Sequence, residues 1–415
     1  MKDRNNKPKL VLFQFRYEKN VPEFLLIHKQ EHVRCLSQFF EVTVINEDCD
    51  YREICERHEP DLVVFESGLE ILNSHRLKIK KISSCPEVPK VAFLNADGCT
   101  EHRAGILSDM DIWGTKTAFS ISICAAEHLS QISKNLFVWP NFIDPAVFRD
   151  YGIEKNIPLL LTGSLSPRYP WRHKVYKLIA EHYPSLVCPH GGYVTRVADS
   201  QMLIGEKYAR TINASIFVPT CGSVTKEVIR KHFEVPGSRS CLVTERSPGL
   251  KSAGFTDMVN CVFADESDIL DKIAYLFEHQ EELRKITDNG WRLVQSKHTI
   301  KNRDQIFQWF KLNKLLKTNQ RIVQPTPFAR LEIVTDSSKI SNNYIVSNGL
   351  HLTWLKRGDE FLWKRKYEDA ERCYLKSLSF LSELPEAKFG LHYVTYIKEI
   401  LRLHFRGLSS QFNVH

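Results

Sequence analysis

The sequence predicts an α/β protein of two doubly wound domains in series, followed by a small all-helical extension. Three observations point there. Short, uninterrupted apolar runs alternate with polar helical stretches from Leu10 to Phe263, the pattern of parallel strands covered on both faces. The alternation forms two complete series, separated by polar residues from Asp150 to Asn156. The chain has 415 residues, and at roughly 100–200 residues per domain this favours two or three domains.

In order, the first series of strands is expected at Leu10–Phe15, Glu41–Ile45, Asp61–Phe65, Val88–Asn95, Ala118–Cys124 and Leu136–Trp139. The second begins at Ile157–Leu161, which runs into Thr162-Gly163-Ser164, and continues at Leu186–Cys188, Ser215–Val218, Cys241–Thr244 and Cys261–Phe263. Two such domains face each other across a cleft at the carboxyl ends of their strands. Asp304–Lys317 reads as a helix with Ile306, Phe307, Phe310 and Leu315 on one side, and Asn319–Asn348 is polar, Pro-containing and linker-like. The expected organisation is therefore 1–150, 151–318, a linker over 319–348, and a helical extension over 349–415.

Composition bounds the function. The chain is 43% hydrophobic and 26% charged, an ordinary globular mix that excludes global disorder. No apolar run approaches the ~18–20 residues of a membrane span, and Leu10–Phe13 is too brief for a signal peptide, so neither a span nor secretion is expected. A formal net charge of +8 suits anionic ligands such as nucleotides and phosphorylated sugars, or an anionic membrane surface. No Lys/Arg block has nucleic-acid-tail density, so no nucleic-acid partner is expected. Eleven cysteines without any CxxC read as reduced thiols of a cytoplasmic protein, with no zinc site and no other metal centre. The basic balance extends this to peripheral contact at the inner membrane face.

Two regions carry chemistry. Lys231-His-Phe-Glu234-Val-Pro-Gly-Ser238 precedes the strand Cys241–Thr244, and Pro248-Gly-Leu, Gly254-Phe255, Asn260-Cys-Val-Phe-Ala and His298-Thr299 with Arg303 follow it. Upstream stand Trp139-Pro140-Asn141 with Asp144-Pro145 and Phe148, Gly163-Ser164 with Arg172, and Tyr208-Ala209 before Asn213-Ala214-Ser215. In this order and spacing, residues 135–305 resemble the donor-binding half of GT-B glycosyltransferases, and within them the CgeB-like, group 1-like variety. The resemblance implies a transferase of hexosyltransferase type, EC 2.4, acting in polysaccharide biosynthesis or on a related acceptor. It would move sugar from a nucleotide-sugar to a glycan, lipid-linked or protein acceptor, with no cofactor beyond the donor and no metal. It implies donor contacts at Gly163, Ser164, Arg172, Tyr208, Gly222, Ser223, Lys231 and Glu234, with Glu234 as ribose ligand.

The chemistry agrees: a carboxylate accepts both ribose hydroxyls, and diphosphate needs backbone N–H groups with a cation. Gly163-Ser164 with Arg172 suits the diphosphate, and Cys221-Gly222-Ser223-Val224-Thr225 reads as a second N–H cradle. The bland readings stay beside these: Glu234 as an ordinary exposed residue, and Gly163-Ser164 as a plain turn with a surface arginine. Three departures stand out. Lys231 holds a position usually Arg, Arg239 one commonly Gly, and Lys226 the place of the first glutamate of a Glu-x7-Glu motif, which leaves retaining or inverting chemistry open.

On the acceptor side, Asn95-Ala-Asp97-Gly98 with His102 follows a strand. Asp97 or His102 is the candidate general base; the alternative is a turn beside a surface histidine. Glu66-Ser67-Gly68 and His190-Gly191-Gly192 are further candidates for acceptor and donor contact, while His298 reads as a packed helix terminus. In the extension, Trp354, Gly358, Phe361, Tyr367, Ala370, Tyr374 and Ser377 follow the spacing of one tetratricopeptide repeat, against a generic helical hairpin. A lone repeat must dock on the α/β body, on a partner or on a second copy. Two other functions compete with transfer: an epimerase on the same fold, and a non-catalytic scaffold that binds its partner through the tail.

Overall fold

The computed structural model describes residues 7–17, 22–67, 74–95, 98–100, 102–190, 202–342, 344–347 and 349–411. Strands β1 (Lys9–Phe13), β2 (Glu41–Ile45), β3 (Leu62–Ser67), β4 (Lys90–Leu94), β5 (Ala118–Ser120) and β6 (Leu136–Val138) form one parallel sheet in the order β6-β5-β4-β3-β1-β2. A second parallel sheet takes β7 (Ile157–Thr162), β8 (Ser185–Cys188), β9 (Ser215–Thr220), β10 (Cys241–Thr244) and β11 (Val262–Phe263) in the order β8-β7-β9-β10-β11. All eleven expected strands are present; the central runs are apolar enough to be buried on both faces, as Leu62 to Phe65 and Leu159 to Leu161 are, while the edge strands β2 and β8 are part-exposed.

Helices cover the faces. On the first sheet lie α1 (Glu23–Leu36), α2 (Tyr51–His58) and α3 (His102–Trp113). The Asp50 carboxylate caps α2 by accepting from the Arg52 N–H at 3.0 Å. On the second sheet lie α4 (Pro170–His182), α5 (Gly205–Asn213), α6 (Lys231–Gly237), α7 (Pro248–Ser252), α8 (Ile269–Glu278) and α9 (Gln280–Lys297). Pro236 keeps α6 to seven residues.

The division near residue 318 needs correction. Helix α10 (Gln305–Asn313) turns Ile306, Trp309 and Phe310 onto the core of the first domain, with Leu10, Leu36 and Phe40. The expected linker is also ordered: β12 (Gln320–Val323) and β13 (Glu332–Thr335) pair antiparallel, and Ile322 and Leu331 join that same core. Gln324 ties the segment to β6, its carbonyl accepting from Val138 N–H at 2.7 Å and its amide donating to Val138 O at 3.0 Å. Weak periodicity hid this, since a short hairpin with one buried edge shows few apolar residues.

The extension is α11 (Leu350–Trp363), α12 (Tyr367–Phe380) and α13 (Pro385–Gln411). Tyr374 is wedged between Gly358 and Gly390; a Cβ at either would stand 2.5–2.7 Å from its ring. The helices pack that closely only because both positions lack a side chain. Among the described residues no helix is long and apolar enough to cross a membrane.

The return of the chain from second to first domain is fastened by Arg303. Its guanidinium donates to Pro140 O, Asn141 O and Lys297 O at 2.9–3.1 Å and bonds His298 Nδ1 at 2.9 Å. His298 bonds Ala253 O at 2.8 Å and stacks on Phe233 with centroids 4.3 Å apart, so it is packed as expected. Arg303→Ala should strand these buried carbonyls, each orphaned group costing about 1–3 kcal/mol. We expect at least about 3 kcal/mol lost in urea unfolding, with a lowered midpoint.

Candidate active-site cleft

The two sheets meet through the loops that leave their carboxyl ends. After β5, the N–H groups of Ile123 and Cys124 donate to the Glu227 carboxylate at 3.2 and 3.4 Å, and the Ser122 hydroxyl donates to it as well. Glu227 follows β9, so one carboxylate fixes the second domain to the first. Beside it, Arg230 pairs with Glu31 of α1 and stands 3.5 Å from Glu234 Oε1. Both carboxylates and the guanidinium are buried.

Of the residues expected from sequence on the donor side, Gly163, Arg172 and Lys231 come together. Gly163 leaves β7 at φ +109°, a conformation that disfavours any side chain. A Cβ there would lie 2.7 Å from Lys231 Nζ and 2.8 Å from an Arg172 nitrogen. Lys231 donates to Thr162 O at 2.9 Å, and Arg172 to Ser164 O at 2.5 Å. Two cations therefore lie over an open backbone at a strand end. Arg172 is buried, not the surface residue of the bland reading. Burial and the neighbouring Arg172 push the Lys231 ammonium down to about 7. His190 is pushed down to about 4, by burial and then by Lys231 and Arg172; Gly191 and Gly192 lie outside the described residues.

Glu234 is likewise buried. Burial raises its carboxyl, and Arg230 and Lys231 offset only part of that rise. Tyr208 stands close enough that the Glu234 charge adds to burial in raising its phenol. The Tyr208 hydroxyl is buried and has no hydrogen-bond partner within the described protein, an orphan group of the kind a ligand satisfies.

The second N–H cradle is not open. The Gly222 N–H donates to Glu245 Oε1 at 3.1 Å and Val224 N–H to Arg168 O at 2.7 Å, while the Ser223 hydroxyl pairs with that of Thr225 at 2.9 Å. The turn spends its donors on itself and its neighbours. Lys226 sits in a left-handed turn at φ +53°, and Arg239 bonds Asp150 and Asp288, well inside the second domain's own framework.

On the acceptor side, Asp97 lies outside the described residues. His102 begins α3 with its side chain exposed, its N–H donating to Thr100 Oγ1 at 3.3 Å. Glu66 is closed to an acceptor: Lys29 holds Oε2 at 2.6 Å and Asn95 holds Oε1 at 2.8 Å. Gly68 lies outside the described residues.

Several members were missed from sequence: Arg230, Glu31, Lys29, His28, His32 and Glu245. Lys29 and His32 recur with Leu25 and Leu36 on the buried face of α1, and titratable residues at core positions of an amphipathic helix were the available signal. His32 packs edge-on to Phe93 and Phe142 and is held neutral, pushed down to about 4 by burial. His28 is lowered by burial and by Arg230. Glu245, just past β10, is pushed up to about 7 by burial.

The family model described as glycosyl transferase-like matches residues 142–308. No curated protein sequence matches the chain. Among solved structures, sucrose-phosphate synthase from Thermosynechococcus elongatus is similar with TM-score 0.53 and 10% identity, covering 74% of this chain and 100% of that one. HepE of Anabaena, solved with UDP, gives TM-score 0.49 and 12% identity, covering 74% of this chain and 100% of its own. The fold is the GT-B arrangement of two facing Rossmann-like domains.

A lysine whose ammonium titrates near 7 loses its charge as pH rises through that value, and a bound polyanion restores it. Pyrophosphate binding should therefore take up a proton near pH 8 and weaken several-fold between pH 7 and 8.5. Calorimetry in two buffers of different ionisation enthalpy reads this directly, and Lys231→Met should weaken binding and remove most of the uptake.

Proposed function

We propose that the protein is a glycosyltransferase that moves a sugar from a nucleotide-sugar donor to an acceptor hydroxyl, with the donor held by the second domain. The observation behind this is the meeting of Gly163, Arg172 and Lys231 at a strand end, beside a buried Glu234 and the orphan Tyr208 hydroxyl. The glycosyl transferase-like family match over residues 142–308 supports it.

The chemistry follows from the charges. As the glycosidic bond to the donor breaks, negative charge grows on the departing diphosphate, and the two cations stabilise it in a partly dry site. They supply the charge for which other transferases use a divalent ion, and on that ground we assign metal-independent transfer. Glu234 Oε1 faces Arg230, which leaves Oε2 to accept from the ribose hydroxyls. The Tyr208 hydroxyl then donates to a ligand oxygen. The acceptor, a glycan, lipid-linked or protein hydroxyl, enters from the first domain, past the carboxyl end of β4. The CgeB-like branch and the tetratricopeptide-like tail belong to this proposal on their motif spacing.

A thermal-shift screen of UDP, GDP, CMP, dTDP and their sugars tests it. One nucleotide class should raise the melting temperature, and Glu234→Gln should lose about 1.5–3 kcal/mol of that affinity, roughly ten- to a hundredfold, while melting as a folded protein. No shift with any nucleotide would overturn the transferase reading and leave the scaffold.

A further inference from the structure

Helix α13 has two apolar faces. One docks: Ala387, Leu391 and Val394 pack into the core of the extension with Tyr374 and Leu384. The other is bare. Phe389, Tyr393, Tyr396, Ile400 and Leu403 are 74%, 46%, 62%, 43% and 68% exposed. Their spacing of four, three, four and three is the heptad alternation of a coiled-coil seam. At about 100° per residue they occupy one stripe, roughly opposite the docked face and about 21 Å long. Phe389 and Tyr393 already stack, centroids 6.5 Å apart. The docked face holds the helix as far as Val394, and the ion pair of Lys398 with Glu371 at 2.6 Å holds the next turn.

We propose that this stripe is a homodimer interface, pairing α13 antiparallel with α13 of a second copy. Four of the five stripe positions are complementary to themselves in that direction, with Leu403 lying beyond the overlap. Antiparallel packing sets alternate seam positions opposite one another: Tyr393 meets the second copy's Tyr396, and Phe389 meets its Ile400. In the same register the flanking His392 comes beside Glu399 of the second copy, an imidazole against a carboxylate, repeated by the two-fold axis. A membrane-lying helix would instead carry a cationic belt along both flanks. Here Glu399 interrupts that flank, and Lys398 is engaged by Glu371 at 2.6 Å on the docked side.

Sedimentation of the full chain from about 1 to 100 µM should show a monomer–dimer equilibrium. Tyr396→Glu should raise the dissociation constant about tenfold or more without lowering the melting temperature of the monomer, since the ring is exposed. Register is read by cross-linking. An equimolar mixture of Phe389→Cys and Ile400→Cys should form a diamide-induced heterodimer, and neither variant alone should do so beyond the native protein. A monomer at 100 µM, a dimer indifferent to Tyr396→Glu, or Phe389→Cys linking to itself as readily as in the mixture would each overturn the proposal. So would a monomer that binds phosphatidylserine vesicles through this stripe. Because α13 lies outside the cleft, none of these outcomes alters the nucleotide test.

Discussion

The Arg230 guanidinium lies between two carboxylates from different domains, Glu31 of α1 and Glu234 of α6. A buried cation costs several kcal/mol in lost hydration unless it is paired, so the two domains have to sit where both carboxylates reach it. That constraint sets the cleft. It orients Glu234 with one oxygen engaged and one left over, and it places His28 beside a fixed positive charge; burial keeps His28 neutral, and His32 beside Lys29 likewise. Glu227 adds a second tie, taking backbone N–H groups from the first domain. Arg303 adds a third at the chain's return, through carbonyls of residues 140, 141 and 297.

Within that frame the charges are arranged for an anion. Lys231 and Arg172 share the ground above Gly163, and each lowers the other's comfort there in the absence of a counter-charge. A diphosphate would relieve both. Glu245 lies near enough for Lys226 and Arg172 to pull its carboxyl down against burial, yet it still titrates near 7. The cleft thus holds groups of both signs whose protonation burial brings close to neutrality.

The extension is not an appendage hung on a linker. At the junction of α12 and α13, Glu383 pairs with Arg168 of the second domain at 2.8 Å, and Glu386, in the first turn of α13, with Arg103 of the first at 2.5 Å. His351 stacks on His128 with centroids 5.7 Å apart. Arg168 follows the Gly163–Ser164 loop, and Arg103 bonds Gly98 O at the acceptor side. One turn of the tail therefore touches the rim of the cleft on both sides. Exposed ion pairs of this kind contribute modestly each, about 0–1 kcal/mol, and the buried apolar contacts and the histidine stack provide the rest of the attachment.

The sequence by itself determined the two parallel sheets, because strands buried on both faces must be continuously apolar, and that is legible residue by residue. It also set Gly163 beside Arg172, which lie close together in the chain, whereas Lys231, far along the chain, joins them only in the fold. It misread the 221–225 turn as an open cradle, because whether an N–H is free depends on Glu245 and Arg168, which are distant in the chain. It took 319–348 for a linker, because the hairpin's partner is a sheet edge nearly two hundred residues earlier. It passed over Glu31, Lys29 and His32, whose partners Arg230, Glu66 and Phe93 lie in segments far from α1 in the chain. What tertiary structure alone decided was pairing: which charge faces which, and whether a buried polar group is satisfied. Those depend on distances between segments far apart in sequence, and no local pattern encodes them.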